Sequence, residues 1–106
     1  MGLLDEFFES LEGFQWDEGN AVISWVRHEV SRAECEQLFL NRSIVVSSDE
    51  GHSTVKRRFA ALGYADSGRQ LTVVFTARGT LLRVVSARPM SRRERGIYAK
   101  RTQTSA

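Results

Sequence analysis

The sequence predicts an α+β domain: helices first, then an antiparallel meander of about four strands, then a closing helix. Three observations carry this. Apolar residues recur at helical spacing before residue 41, strand-like runs after residue 57 are parted by two hairpin-type turns, and a capping-box pair follows the single proline.

Taken in order, Leu3, Leu4, Phe7, Phe8 and Leu11 recur with acids between them, as in a short amphipathic helix that Gly13 would end. This helix docks on the protein's own core, covers a partner, or simply derives from its neighbourhood in the gene; as a contact it would meet that partner or a second copy through Leu4, Phe7, Phe8 and Leu11. Phe14 to Asp17 alternates apolar and polar residues as a short strand does, and Asp17 is placed to cap a helix through Ala21, Trp25 and His28. Trp16 and Trp25 are assigned mainly to the core. Ser31 and Glu34 have capping-box spacing, and Ala33, Leu38 and Phe39 give the next helix an apolar side.

Ile44 to Val46 reads as a strand, and Ser47 to Thr54, which holds His52, as an exposed loop. Three further strands are expected at Arg58–Ala65, Gln70–Ala77 and Leu81–Arg88, with turns at Asp66-Ser67-Gly68 and Arg78-Gly79-Thr80. In a tight Gly79-Thr80 hairpin, Thr76 would lie opposite Arg83 on one face, and Phe75 opposite Val84 on the other. Pro89 stops the last strand, and Ser91 with Glu94 opens a helix carrying Arg92, Arg93, Arg95, Ile97 and Tyr98. The expected organisation is an extension over residues 1–13, one domain over 14–101, and a tail that frays from Thr102.

Charge divides the chain. Met1 to Val55 holds three basic against eleven acidic residues, a balance of −8, whereas Lys56 to Ala106 holds twelve against two, a balance of +10. A basic half whose arginines stand on strands and a helix suits a polyanion held with defined geometry. Cys35 is the only cysteine, so an internal disulfide is excluded, and neither it nor the two histidines finds the ligand set a metal would need. The apolar runs are too short to span a membrane, and the acidic N-terminus is unlike a signal peptide, so a cytoplasmic protein without cofactor or membrane partner is expected. Nothing in the sequence around Cys35 would activate it as a nucleophile.

The run Leu81 to Tyr98, LLRVVSARPMSRRERGIY, resembles the ending of the BrnT family of type II toxins. Upstream blocks agree in order: Phe14-Gln15-Trp16-Asp17-Glu18; Arg27-His28 with Val30 and Ser31; Arg58-Phe59 and Leu62-Gly63; and Gly68-Arg69, Leu71, Val73, Val74, Thr76 and Arg78. The resemblance implies a RelE-like fold and a growth-inhibiting endoribonuclease, which the lack of metal ligands makes one expected to act without metal. It also implies a BrnA-like ribbon-helix-helix antitoxin that neutralises the toxin and forms with it a complex repressing their operon. DNA is then contacted only through that complex, within which a homodimer of the toxin stays open. The chain departs from the family pattern at Asn20, Ser24 and Glu29, where the family has a lysine, an asparagine and a glycine, and residues 1–13 have no counterpart.

Cleavage of RNA by its own 2′-hydroxyl needs a base, an acid for the leaving oxygen and cations around the phosphorane. His28 is a candidate base or acid because an imidazole exchanges protons near neutral pH; the alternative is a histidine at a helix end facing solvent. Arg58, Arg83 and Glu94 complete the catalytic candidates. Glu94, crowded by arginines, reads equally as a cap or ion-pair partner, since those charges would make it a weak base. Arg27, Thr76, Arg78, Arg88, Arg92 and Tyr98 are the RNA-binding candidates, with Tyr98 either stacking on a base or packing in the core. The reading from another class is a non-catalytic relative that binds nucleic acid or antitoxin and acts only in operon regulation.

Overall fold

A computed structural model describes residues 3–17, 19, 25, 27–48 and 58–103. Its elements are α1 (Leu3–Glu9), β1 (Gly13–Gln15), α2 (Arg32–Leu40), β2 (Val45–Ser48), β3 (Phe59–Tyr64), β4 (Gln70–Arg78), β5 (Leu81–Pro89) and α3 (Arg92–Gln103). Asn20, Ala21, Ser24, His52 and most of the loop around it lie outside the described residues.

The expected meander is present as β2 to β5, each strand antiparallel to the next, but the sheet has five strands in the order β1-β5-β4-β3-β2. The fifth is β1, which joins the edge of β5 in parallel, pairing Phe14 with Leu82 and Gln15 with Arg83. Sequence alternation marks a strand of this length but carries no sign of its partner. Gly13, read as the stop of the first helix, belongs instead to β1: α1 ends at Glu9, and Glu12 N–H donates to the Thr80 carbonyl at 2.9 Å.

Strand alternation divides the sheet into two faces. Leu71, Val73 and Phe75 of β4 and Leu82, Val84 and Ala87 of β5 enter a core with Cys35, Leu38 and Phe39 of α2. Phe7, Phe8 and Leu11 pack on the same core, and Phe75 is its hub, with ring centroids 5.3 Å from Phe39, 5.6 Å from Phe59 and 6.0 Å from Phe8. The N-terminal helix therefore docks on the protein's own core, which removes these three side chains from the partner-facing role expected as an alternative. A Cβ at Gly63 would lie 2.8 Å from Leu38 Cγ, so the glycine lets α2 approach β3.

On the other face, α3 packs over β2 and β3 through a smaller cluster of Leu62, Met90 and Tyr98. Both capping boxes form: Ser31 Oγ accepts from Glu34 N–H at 3.1 Å, and Ser91 Oγ from Glu94 N–H at 3.1 Å. Asp17 Oδ1 accepts from Gly19 N–H at 2.9 Å, as a helix cap does. The helix α3 continues through Gln103, beyond the expected fray point, with Thr102 Oγ1 donating to the Tyr98 carbonyl. Trp16 packs on the core edge, donating Nε1–H to Glu36 at 3.0 Å under the Arg32 guanidinium. Trp25, assigned to the core from sequence, is 55% exposed; Val30, five residues later, is the side chain that enters.

Candidate functional site

The hairpin at Gly79, with φ +60, fixes the register that sets out the open face. Thr76 pairs with Arg83 and Phe75 with Val84, as the alternation required. Gln15 of β1 flanks Arg83 on its other side. Carrying the Phe59–Phe75 pairing back one step sets Arg58 beside Thr76. The result is a row across β4, β5 and β1, Thr76, Arg83 and Gln15, continued by Arg58 just before β3, with Thr76 itself buried and Arg78 two residues beyond it on the same face. Arg83 is 29% exposed, with one guanidinium nitrogen 3.5 Å from Asp17 Oδ2. Asp17 thus has two uses, closing a helix start and facing the arginine. Sequence reasoning missed the second, because it depends on the parallel pairing of β1.

A second row lies one step along the strands: Ser47, Ala60, Val74 and Ser86. A register shift at Val74/Phe75 separates it from the first, a bulge of the kind that re-aims side chains beside sites. The third row is Val45, Leu62, Thr72 and Arg88. Here Arg88 grips Glu94 with both guanidinium nitrogens, at 2.6 and 2.8 Å, while Thr72 Oγ1 and Ser91 N–H donate to Glu94 Oε1 at 3.0 and 2.8 Å. These bonds, led by Arg88 and opposed by partial burial, hold the Glu94 carboxyl down at about 2. A carboxylate so stabilised is a poor base at neutral pH.

The other sequence candidates fall elsewhere. Arg69 donates to the carbonyls of His28 and Glu29 at 2.8 and 2.7 Å and pairs with Glu34, fixing the end of the helical turn at Trp25, Arg27 and His28. Arg27 and His28 are exposed on that helix end. Seven positions along the chain separate Arg69 from Thr76, roughly 23 Å of strand, so His28 is not brought to the Arg83 row. Glu29 has φ +54, which explains a glycine at this position in the family pattern. Tyr98 is buried between Leu62 and Met90 and donates its hydroxyl to the Ser43 carbonyl, so its ring is core and does not offer a face for stacking. Arg92 is exposed on the first turn of α3. Burial, reinforced by Glu34 and Glu36, pushes the Cys35 thiol up to about 12, which makes it inert. Among the described residues no three His, Cys, Asp or Glu side chains converge as a metal site, and no helix is long and apolar enough to cross a membrane.

The profile of a family described as ribonuclease toxin, BrnT, of type II toxin-antitoxin system matches residues 16–94, most of the chain and every residue of the three rows except Gln15. The chain belongs to the BrnT family. Membership makes it a ribonuclease toxin of a type II system, with RNA as substrate and an antitoxin as partner. The fold is similar to that of the Brucella abortus ribonuclease toxin BrnT, with a TM-score of 0.58 and 23% identity over 76% of this chain and 97% of that one. No curated protein matches the chain. The BrnT region begins at Trp16, so α1 and its aromatic side chains lie before it.

Proposed function

We propose that this BrnT toxin cleaves RNA without metal, by attack of a 2′-hydroxyl on the adjacent phosphate, on the open face of the sheet. The observation that carries the proposal is the row Arg58, Thr76, Arg83 and Gln15, three strands of which also carry the uncovered end next to the Gly79 hairpin. Arg83 and Arg58 would flank the phosphate, with the Thr76 hydroxyl between them and Arg78 on the strand leading away. Two cations around one phosphorane stabilise the charge that develops as the 2′-oxygen adds, giving its proton to solvent water, and the 5′-oxygen leaves, taking a proton back from water. Asp17 acts by holding Arg83 at a fixed angle.

Glu94 has a different role from the base considered in the sequence. It orients Arg88, which can bind the next phosphate along the strand, and its low proton affinity suits a permanent anion. His28 stands outside the reaction. The rate in this reading comes from positioned charge rather than from a tuned imidazole. The natural inhibitor is a BrnA-like ribbon-helix-helix antitoxin that covers the same basic face in the cytoplasm.

The test is cleavage of a purified structured RNA in excess EDTA. The wild type should cut and leave cyclic phosphate ends, Arg83→Ala should lose about 10²–10³ in rate at unchanged melting temperature, and His28→Ala should cut nearly as well as wild type. A folded wild type that binds RNA in a salt-sensitive way but never cuts it would establish the non-catalytic regulator instead.

A further inference from the structure

The arginine rows leave one feature of the open face without a use. Between α3 and the β2–β3 end of the second and third rows runs a groove of about 410 Å³, within the range that small ligands occupy (roughly 300–1,000 Å³). Its floor is apolar, made by Val45, Ala60 and Leu62. Its helix wall carries Arg93, Ile97 and Arg101, spaced four apart and therefore stacked along one side of α3. Ile97 is 39% exposed, an apolar side chain held open to solvent between two cations. Packing does not require this arrangement, because Tyr98 and Met90 already seal the contact between α3 and the sheet.

We propose that this groove holds one nucleobase of the RNA, that of a nucleotide next to the one cleaved. The inference rests on the open face being the RNA site. An apolar floor suits the π-face of a base, and guanidinium planes at the rim suit either stacking on that base or its flanking phosphates. A peptide side chain would be served equally by the floor, but not by a rim of like cations that continues the charge of the neighbouring rows. The position also fits. Ala60 is two residues along β3 from Arg58, about 7 Å at strand rise, so a strand whose phosphate sits at Arg58 and Arg83 reaches the groove within one nucleotide. Glu94 lines the inner end, and through it the groove touches the Arg88 pair. The groove therefore couples base recognition to the placement of the phosphate, and it is where this toxin's preference among RNA sites would be set.

The experiment is equilibrium binding of a short RNA made uncleavable by 2′-deoxy substitution, with an abasic site moved through it one position at a time. In the wild type, one position should weaken binding by about tenfold when its base is removed, the loss of one stacked base. In Ala60→Phe, which fills the floor, the intact RNA should bind with that same weakened affinity, and removal of the base should change it by less than about twofold. Ile97→Glu, on an exposed helix position that does not endanger the fold, should give the same loss by placing an anion between Arg93 and Arg101. An abasic penalty of equal size in wild type and both variants overturns the proposal, as does the absence of any base dependence. Loss of antitoxin binding in Ala60→Phe with RNA binding intact would assign the groove to the protein partner. Cleavage of the matching all-RNA strand is scored alongside: its absence overturns the ribonuclease mechanism, while the binding arms still decide the groove.

Discussion

The two faces of the one sheet are built on opposite terms. The inner face is closed by α1 and α2 around an apolar cluster centred on Phe75, with Glu6 and Glu9 of α1 exposed and Glu34 and Glu36 of α2 half-buried on Arg69 and Trp16. The outer face is covered at its β2–β3 side by α3, and elsewhere it presents Arg58, Arg78 and Arg83, with Asp17 as the acid that faces Arg83. Strand alternation makes this division, since each β4 residue is assigned wholly to one face. With the proposed site on the outer face, stability and RNA chemistry are expected to be alterable separately. Arg83→Ala, expected to remove activity without changing the melting temperature, is the sharpest statement of that separation.

The largest expected effect on stability comes from the inner face at the segment that precedes the BrnT match. Phe8 stacks on Phe39 with ring centroids 6.1 Å apart and touches Phe75 at 6.0 Å, so its ring closes the hub from the N-terminal side. Phe8→Ala should cost about 2–3 kcal/mol, somewhat less than a fully buried phenylalanine because the ring is half-buried, and should leave the cleavage rate per folded molecule unchanged. Chemical denaturation measures the first and single-turnover cleavage the second. A melting temperature that stays at the wild-type value would return α1 to the role of a partner-binding arm.

How far the sequence reached differs between the faces for the same reason. Local signals were sufficient wherever structure is local: the capping boxes at Ser31 and Ser91, the turns at Gly68 and Gly79, and the Thr76–Arg83 pairing that follows from a tight hairpin. What it could not supply was anything set by a distant strand. The parallel seat of β1 beside β5, which brings Gln15 and Asp17 to Arg83, has no trace in alternation alone. Arg69 looked like one more cation of a basic half, yet it is used up on the carbonyls of His28 and Glu29 and on Glu34. The charge asymmetry pointed to the second half of the chain but could not tell a structural arginine from one left facing solvent.

On the outer face, the Arg88–Glu94 pair should make stability depend on acid. The Glu94 carboxyl is held at about 2 against an ordinary value of 4.5, mainly by Arg88. A depressed carboxylate contributes its stability above the unfolded value and loses it as the pH falls through the folded one, so the loss should run from about pH 4.5 to about pH 2. With Arg88 41% exposed on its side chain, solvent screening reduces the contribution to about 1–2 kcal/mol. Glu94→Gln should lower the melting temperature at pH 7 and flatten its fall below pH 4.5. If the variant and the wild type lose stability in parallel down to pH 2, the carboxylate is not what fixes Arg88.

The smallest effect tests the junction of the two faces, where this chain departs from its family. Glu29 adopts φ +54 just after the helical turn at Trp25, Arg27 and His28, a conformation in which a side chain crowds the following carbonyl and glycine does not. Arg69 compensates by binding the carbonyls on either side of the bend, which holds the strained turn closed. Glu29→Gly should therefore stabilise the protein by about 0.5–1 kcal/mol, in contrast to the usual cost of a new glycine. Because residue 29 is exposed and far along the sheet from Arg83, the cleavage rate should not change. A gain in cleavage with no gain in stability would mean that the glutamate acts through its charge, repelling RNA from the Arg27–His28 end, and that the RNA path runs past the edge of the open face.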